Sequence, residues 1–316
     1  MTRVQTVLGP VDGDQLGVTL SHEHIFVVMG EDNKHYPWMF DLQATKERAI
    51  AEVAEAKAGG IDTMIDLTTP DLGRDVEFVR DVAKSTGMQI IVATGIWRDV
   101  PRSFWARDVD KIADIFVREI ETGIGSTDVK AGVIKVANDM GGVTPEGERV
   151  LRGAARASKR TGCPISTHHW APERVGTRQV EIFEEEGVPM HQVCIGHSAD
   201  TTDVKYLEAL LDCGAYLSMD RYPGAEGRPD WQQRNQTVKA LIDDGWAHRL
   251  MLGHDYAPAP VSAGSKRAPS SEPTRYLFVT TVALPALRKD GVSEGTIDLM
   301  TREVPRRFLT GARDGE

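Results

Sequence analysis

The stretch Gly17-Val-Thr-Leu-Ser-His-Glu-His24 decides the fold. It continues the first of eight short apolar, β-branched runs: Leu16–Ser21, Ile61–Leu67, Ile90–Thr94, Gly132–Val136, Pro164–Thr167, Gln192–Gly196, Ala215–Met219 and Arg249–Gly253. Between them lie amphipathic segments at helical spacing: Ala44–Lys57, Val109–Ile120, Glu146–Arg160, Thr177–Glu186, Thr202–Asp212 and Gln236–Asp244. Strands alternating with helices build a parallel sheet through right-handed crossovers. An open doubly wound sheet would place a glycine-rich phosphate loop after the first strand, but Ser21-His22-Glu23-His24 stands there. The expectation is therefore an α/β fold, a closed (β/α)8 TIM barrel. No linker or shift in composition divides the 316 residues. A single domain over 1–316 is expected, with a long loop at 257–273 after the last strand and closing helices at 274–309.

Charge and composition exclude several classes of function. Lys and Arg number 37 against 47 Asp and Glu, a formal net charge of −10. Sequence-independent nucleic-acid binding needs clustered positive charge, so no nucleic-acid partner is expected. Cys163, Cys194 and Cys213 form no CxxC pair and read as buried thiols of a reducing compartment. The segment from Met1 to Pro10 lacks the apolar core of a signal peptide. The longest apolar stretch, Tyr276–Leu287, is broken by Thr280, Thr281 and Pro285, well short of the ~20 residues of a membrane span. A cytoplasmic protein without a membrane partner is expected.

In a barrel of this kind the reactive groups stand where strands end. Those ends carry, in order, His22 and His24, Asp66, Thr94, Lys135, His168, His197, Asp220 and Asp255. Residues two apart on a strand share a face, so His22 and His24 both project inward and can hold one cation. Alone, the pair is weak evidence, and two satisfied core histidines are the better reading of it. His168 and His197 close two neighbouring strands, and imidazole suits zinc and similar ions. A carboxylate at Asp255 requires a metal or an arginine to offset its burial. Lys135 sits within the apolar run Val133-Ile-Lys-Val-Ala137 with its side chain directed inward. An ammonium beside divalent cations is repelled by several kcal/mol even at an effective dielectric of ~20. The amine is then neutral, or it has combined with CO2 into a carbamate able to bridge two ions. A lysine reaching the barrel rim is the plain alternative for one such residue on its own. It loses here because five other candidate ligands occupy the matching strand ends.

With these residues in view, the chain resembles the phosphotriesterase family of the amidohydrolase superfamily, and within it the phosphotriesterase-like lactonase branch. The stretches that carry the resemblance are Val4–Pro10, Gly17–His24, Ala93–Trp97, Ala131–Ala137, Ile165–His168, Ile195–Asp203 and Gly253–Tyr256. The resemblance implies two divalent metal ions, zinc foremost with Mn, Co or Fe as alternatives. His22, His24 and Asp255 would take the buried ion, and His168 and His197 the more exposed one. N6-carboxylated Lys135 and a hydroxide would bridge them, with Asp255 moving the proton. His169 would back the ligand set or wall the pocket, while His254 would be structural. A homodimer is implied as well.

Two positions bear on the substrate. The run Ser218-Met-Asp-Arg-Tyr222 resembles the lactonase branch, and Arg221 stands where true phosphotriesterases have a proton-relaying histidine. An Arg221–Asp200 ion pair is expected in its place. Trp97 stands where lactonases have a tyrosine, which is nearer to the phosphotriesterases. Trp97, Arg221 and Tyr222 are expected at the substrate, with Phe104, Trp105 and Trp231 adding apolar surface. The loop 257–273 and the segment 222–231 are expected to form lid and walls. The function implied is a metal-dependent lactonase acting on lactones such as N-acyl-homoserine lactones, with weaker organophosphate triester hydrolysis. The alternatives are a primary phosphotriesterase, or a hydrolase of another cyclic ester or amide.

Overall fold

A computed structural model of the chain describes residues 3–263 and 274–312. Two antiparallel strands come first, β1 (Arg3–Thr6) and β2 (Gly9–Asp12), a hairpin absent from the expected set. Eight parallel strands follow: β3 (Thr19–Glu23), β4 (Thr63–Asp66), β5 (Gln89–Ile96), β6 (Val133–Ala137), β7 (Ile165–His168), β8 (Val193–Gly196), β9 (Tyr216–Met219) and β10 (Leu250–Leu252). They pair in strict sequence order from β3 to β10, as expected for a (β/α)8 barrel. The ladder does not join β10 to β3. That seam is held by Ser21 Oγ donating to the Leu252 carbonyl (2.9 Å) and by the Asp255 amide donating to the His22 carbonyl (2.9 Å).

The helices Leu42–Ala58, Val109–Glu121, Pro145–Thr161, Val175–Glu185, Val204–Asp212 and Trp231–Asp243 match the expected segments within a few residues at most ends. Trp231–Asp243 begins five residues early because Asp230 caps it, its carboxylate accepting the Gln233 amide. The expected set omits the helix Val76–Thr86. Its signals are nonetheless local: the Asp75 side chain caps Phe78 N, Val76, Val79, Val82 and Ala83 line one face, and Gly87 ends it in the left-handed region. The first barrel strand begins at Thr19, not Leu16, because Gly17 takes φ +62 and the Asp62 carboxylate holds Val18 N at 3.0 Å. This shift places His22 inside the strand and His24 one residue past its end.

Inward and outward residues alternate along each strand. On β6, Ile134 and Val136 pack against the helical layer, while Val133 joins an inner layer with Ile65, Ile91, Tyr216 and Met251. Val304, Phe308 and Leu309 from the closing helix Val304–Thr310 fill the same layer from below. One end of the barrel is thus plugged by apolar side chains. Lys135, one turn of the alternation above Val133, faces the other end. Cys163 and Cys194 are buried free thiols, whereas Cys213 is exposed, at the end of the helix Val204–Asp212. No described helix is long and apolar enough to cross a membrane. The loop expected at 257–273 is described only as far as Ala263; its remainder lies outside the described residues.

Candidate metal centre

All six expected ligands line one cavity of about 210 Å³, open to solvent on one side. Its floor is His22, His24, Lys135, His168, His197 and Asp255, and its walls are Val27, Leu72, Trp97, Arg221 and Ala257. His22 comes from β3, Lys135 from β6 and His168 from β7, while His24 and His197 directly follow β3 and β8 and Asp255 stands three residues beyond β10. Backbone shape aids this convergence. His197, Arg221 and Asp255 take φ of 61°, 65° and 54°, a left-handed conformation costly for residues with a Cβ. Gly95 serves a different need: a Cβ there would overlap the backbone carbonyl of Lys135, so only glycine lets β5 lie against the lysine's strand.

Outer hydrogen bonds fix which imidazole nitrogens face the cavity. Asp220 is fully buried and accepts from His22 Nδ1 (2.8 Å), His197 Nδ1 (2.9 Å) and Ser218 Oγ (2.9 Å). A carboxylate can only accept, so both rings carry hydrogen on Nδ1 and turn a bare Nε2 inward. Thr68 Oγ1 donates to Asp66 and therefore accepts from His24 Nδ1 (2.8 Å). His24 Nε2 then faces Asp255 Oδ1 at 3.0 Å, and His22 Nε2 faces the same oxygen at 3.3 Å. His197 Nε2 faces His168 Nδ1 at 2.8 Å.

Lone pairs that meet in this way repel unless a cation lies among them. His22, His24 and Asp255 have metal-site spacing, and so do His22, His197 and Asp220. In the second group, contacts of 2.8–2.9 Å are hydrogen bonds made through Nδ1. Two ligands at ~2.1 Å around a tetrahedral ion sit more than 3 Å apart, which suits the first group better. The donor set of neutral imidazole and carboxylate fits a divalent ion such as zinc. Lys135 is fully buried, with Nζ 3.4 Å from His22 Nε2 and 3.4 Å from the Thr167 carbonyl.

Electrostatics agree with this donor set. Burial, and then the Lys135 ammonium, push His22 down to about 4. Burial also pushes His168 to about 4 and His197 well below its ordinary range. These imidazoles are neutral at pH 7, as metal ligands must be. Burial alone would raise Asp255 and Asp220, but His22 and His197 outweigh it and hold both carboxyls well below the usual range. Burial lowers Lys135 from 10.5 to about 8 despite the opposing Asp255 and Asp220.

Arg221 bridges two carboxylates, Nε on Asp255 Oδ2 (2.8 Å) and Nη1 on Asp200 Oδ2 (2.6 Å). Asp200 also accepts from Arg228 and Arg234. Trp97 lines the cavity and points Nε1 at His168 Nδ1 (3.3 Å). The other expected pocket aromatics need correction. Tyr222 does not line the cavity: it is buried, gives its hydroxyl to Asn235 Oδ1 (2.8 Å) and stacks on Phe278. Phe104 lies in the core, Trp105 is exposed with Nε1 on the Val100 carbonyl, and Trp231 packs on Phe278. Val27, Leu72 and Ala257 form apolar wall in their stead. His169 is buried behind the site on the Gly196 carbonyl, and His254 ties Glu23 to Val279 N. Thr94 donates to Glu119 rather than to the cavity. Asp220, named in the sequence only as a strand end, is the acceptor that orients two of the candidate ligand histidines.

Comparison with known proteins accords with this geometry. The phosphotriesterase family model matches residues 2–309. The chain is 41% identical over 320 residues to a phosphotriesterase homology protein of Mycobacterium tuberculosis, covering 98% of each. It is 35% identical over 308 residues to an aryldialkylphosphatase of Saccharolobus solfataricus, covering 95% of this chain and 97% of that one. The solved structure of the phosphotriesterase from M. tuberculosis superimposes with a TM-score of 0.88 at 39% identity, covering 97% and 98%. A barrel with convergent histidines, a buried lysine and a carboxylate at its open end, matched along nearly its whole length, belongs to the phosphotriesterase family of binuclear metal-dependent hydrolases.

Proposed function

We propose that the protein is a lactonase for neutral, apolar lactones, N-acyl-homoserine lactones foremost, with weaker hydrolysis of organophosphate triesters. His22, His24 and Asp255 would hold one divalent ion and His168 and His197 a second, with carboxylated Lys135 between them. A carbamate at Lys135 replaces a buried ammonium, lowered to about 8 and so partly neutral and able to combine with CO2, by an anion with two ligand oxygens. When bound, the ions supply Lewis acidity and bring a water's pKa towards neutrality.

The observation that carries the lactone reading is Arg221, clamped between Asp255 and Asp200 inside the cavity. Both carboxylates hold the guanidinium above its ordinary range against the effect of burial, so it cannot relay a proton. Asp255 must then take the proton of the attacking water and hand it directly to the leaving oxygen. Ring opening of a lactone leaves a basic alkoxide tethered to the acyl product, close to that carboxyl group. Arg221 holds Asp255 Oδ2, leaving Oδ1 facing the histidines. Val27, Leu72, Trp97 and Ala257 give an acyl chain an apolar wall. A primary phosphotriesterase is the second reading, favoured by Trp97 in the wall and by the likeness to an aryldialkylphosphatase.

A hydrolysis panel of γ- and δ-lactones, homoserine lactones and paraoxon on metal-reconstituted enzyme, followed by proton release, separates the two. A lactone kcat/KM no better than the paraoxon value overturns the lactone reading.

A further inference from the structure

The histidines at the cavity floor are not anchored alike. His22 and His197 give Nδ1 to Asp220, and His24 gives Nδ1 to Thr68. His168 is reversed: its Nδ1 faces His197 Nε2 at 2.8 Å, while its Nε2 points away from the cavity. That Nε2 is buried and has no hydrogen-bond partner among the described residues. A buried donor left without an acceptor costs about 1–3 kcal/mol. Beside it, at 3.6 Å, lies Asp139 Oδ1.

We infer that Asp139 is the positioning residue of His168, the acceptor whose hold on Nε2–H turns the Nδ1 lone pair towards the second ion. The inference rests on the reading of His168 as a ligand. Asp139 stands two residues beyond β6, so the strand that carries Lys135 also orients the neighbouring ligand. Its carboxylate is fixed from the far side. Oδ2 is paired with Arg98, and Oδ1 accepts the Met140 amide at 2.9 Å. Arg98 in turn lies over the Trp97 ring, 4.8 Å from its centre, so the pocket wall and the ligand's outer partner share one support. A shift of a few tenths of an ångström brings Nε2 within bonding range. The site then has an outer acceptor for every ligand imidazole, as metal-bound histidines almost always do.

Titration of the metal-free protein with Co(II), followed by the absorption of the bound ions, tests this without reference to turnover. Wild type binds two ions. In Asp139→Ala the second ion binds ~10–100-fold more weakly and its absorption band changes, while the first stays within twofold. Asp139→Asn keeps an acceptor oxygen and restores most of the second ion's affinity, but its neutral amide no longer raises the basicity of the His168 ring, so the second ion's band still shifts. Far-ultraviolet circular dichroism identifies folded variants. If the alanine variant does not fold, a change of the second ion's band in Asp139→Asn, without change in the first, carries the test. A folded Asp139→Ala that binds the second ion within twofold of wild type overturns the inference, as does an unchanged band in Asp139→Asn when that variant carries the test. His168→Ala is the control: it loses the second ion, and retention of both ions would overturn the ligand reading and this inference with it.

Discussion

Lys135→Met isolates what a bare ammonium does to the barrel. The unmodified lysine is fully buried and lowered from 10.5 to about 8, first by burial and against the pull of Asp255 and Asp220. An unfolded chain keeps the ordinary value, so below pH 8 the folded state carries a cost of about 3 kcal/mol. Between pH 8 and 10.5 the cost shrinks as the folded amine loses its proton first, and above 10.5 it is gone. Methionine has similar length and no charge. Removing the amine also loses its 3.4 Å contact with His22 Nε2, about 0.5–1 kcal/mol. The variant is therefore expected to be about 2 kcal/mol more stable than metal-free wild type at pH 7. The difference should fade towards pH 10.5. Urea unfolding of both proteins, stripped of metal and kept free of bicarbonate, reads this directly. With metal and bicarbonate restored, the order is expected to reverse, because methionine cannot supply the ligand proposed for carboxylated Lys135. A metal-free wild type as stable as the variant at pH 7 would refute the claim that the ammonium is misplaced there.

Asp220→Asn replaces a pure acceptor of two imidazole N–H groups with an amide, and metal affinity measured against a chelator is expected to fall 10–100-fold with the fold retained. Gly95→Ala drives a methyl group into the Lys135 carbonyl and is expected to lower the unfolding midpoint and the bound-metal content together; unchanged values would remove the packing argument. The metal-free protein is expected to lose stability as pH falls from 6.5 to about 4. In that window the unfolded chain binds protons at His22 and His168 that the folded chain refuses, worth up to about 3 kcal/mol for each. Urea midpoints that stay level between pH 7 and 4.5 would contradict this.

The strand order and the convergence of six candidate ligands on one cavity could be read from the sequence because each rests on a local signal, a short β-branched run ending in a histidine, lysine or aspartate. The shift of the first strand did not upset this, since His22 and His24 keep the same face. Partners were less legible. Asp220 and His22 lie 198 residues apart and meet because barrel closure brings strand ends together, which periodicity does not encode. Thr68 beneath His24 is hidden in the same way. The aromatics failed for another reason: hydrophobicity does not distinguish a pocket wall from a core. Tyr222 follows Arg221, whose left-handed backbone sends the next side chain into the packing around Phe278.

The gap between the first and last strands has a consequence for what a metal ion does here. His22 and His24 belong to the front edge of the sheet and Asp255 to its back edge, so an ion shared by them would rivet the barrel shut where its ladder stops. Loading the site would then slow backbone amide exchange in β3 and β10 more than in the strands opposite, making the cofactor a mechanical part as well as a chemical one.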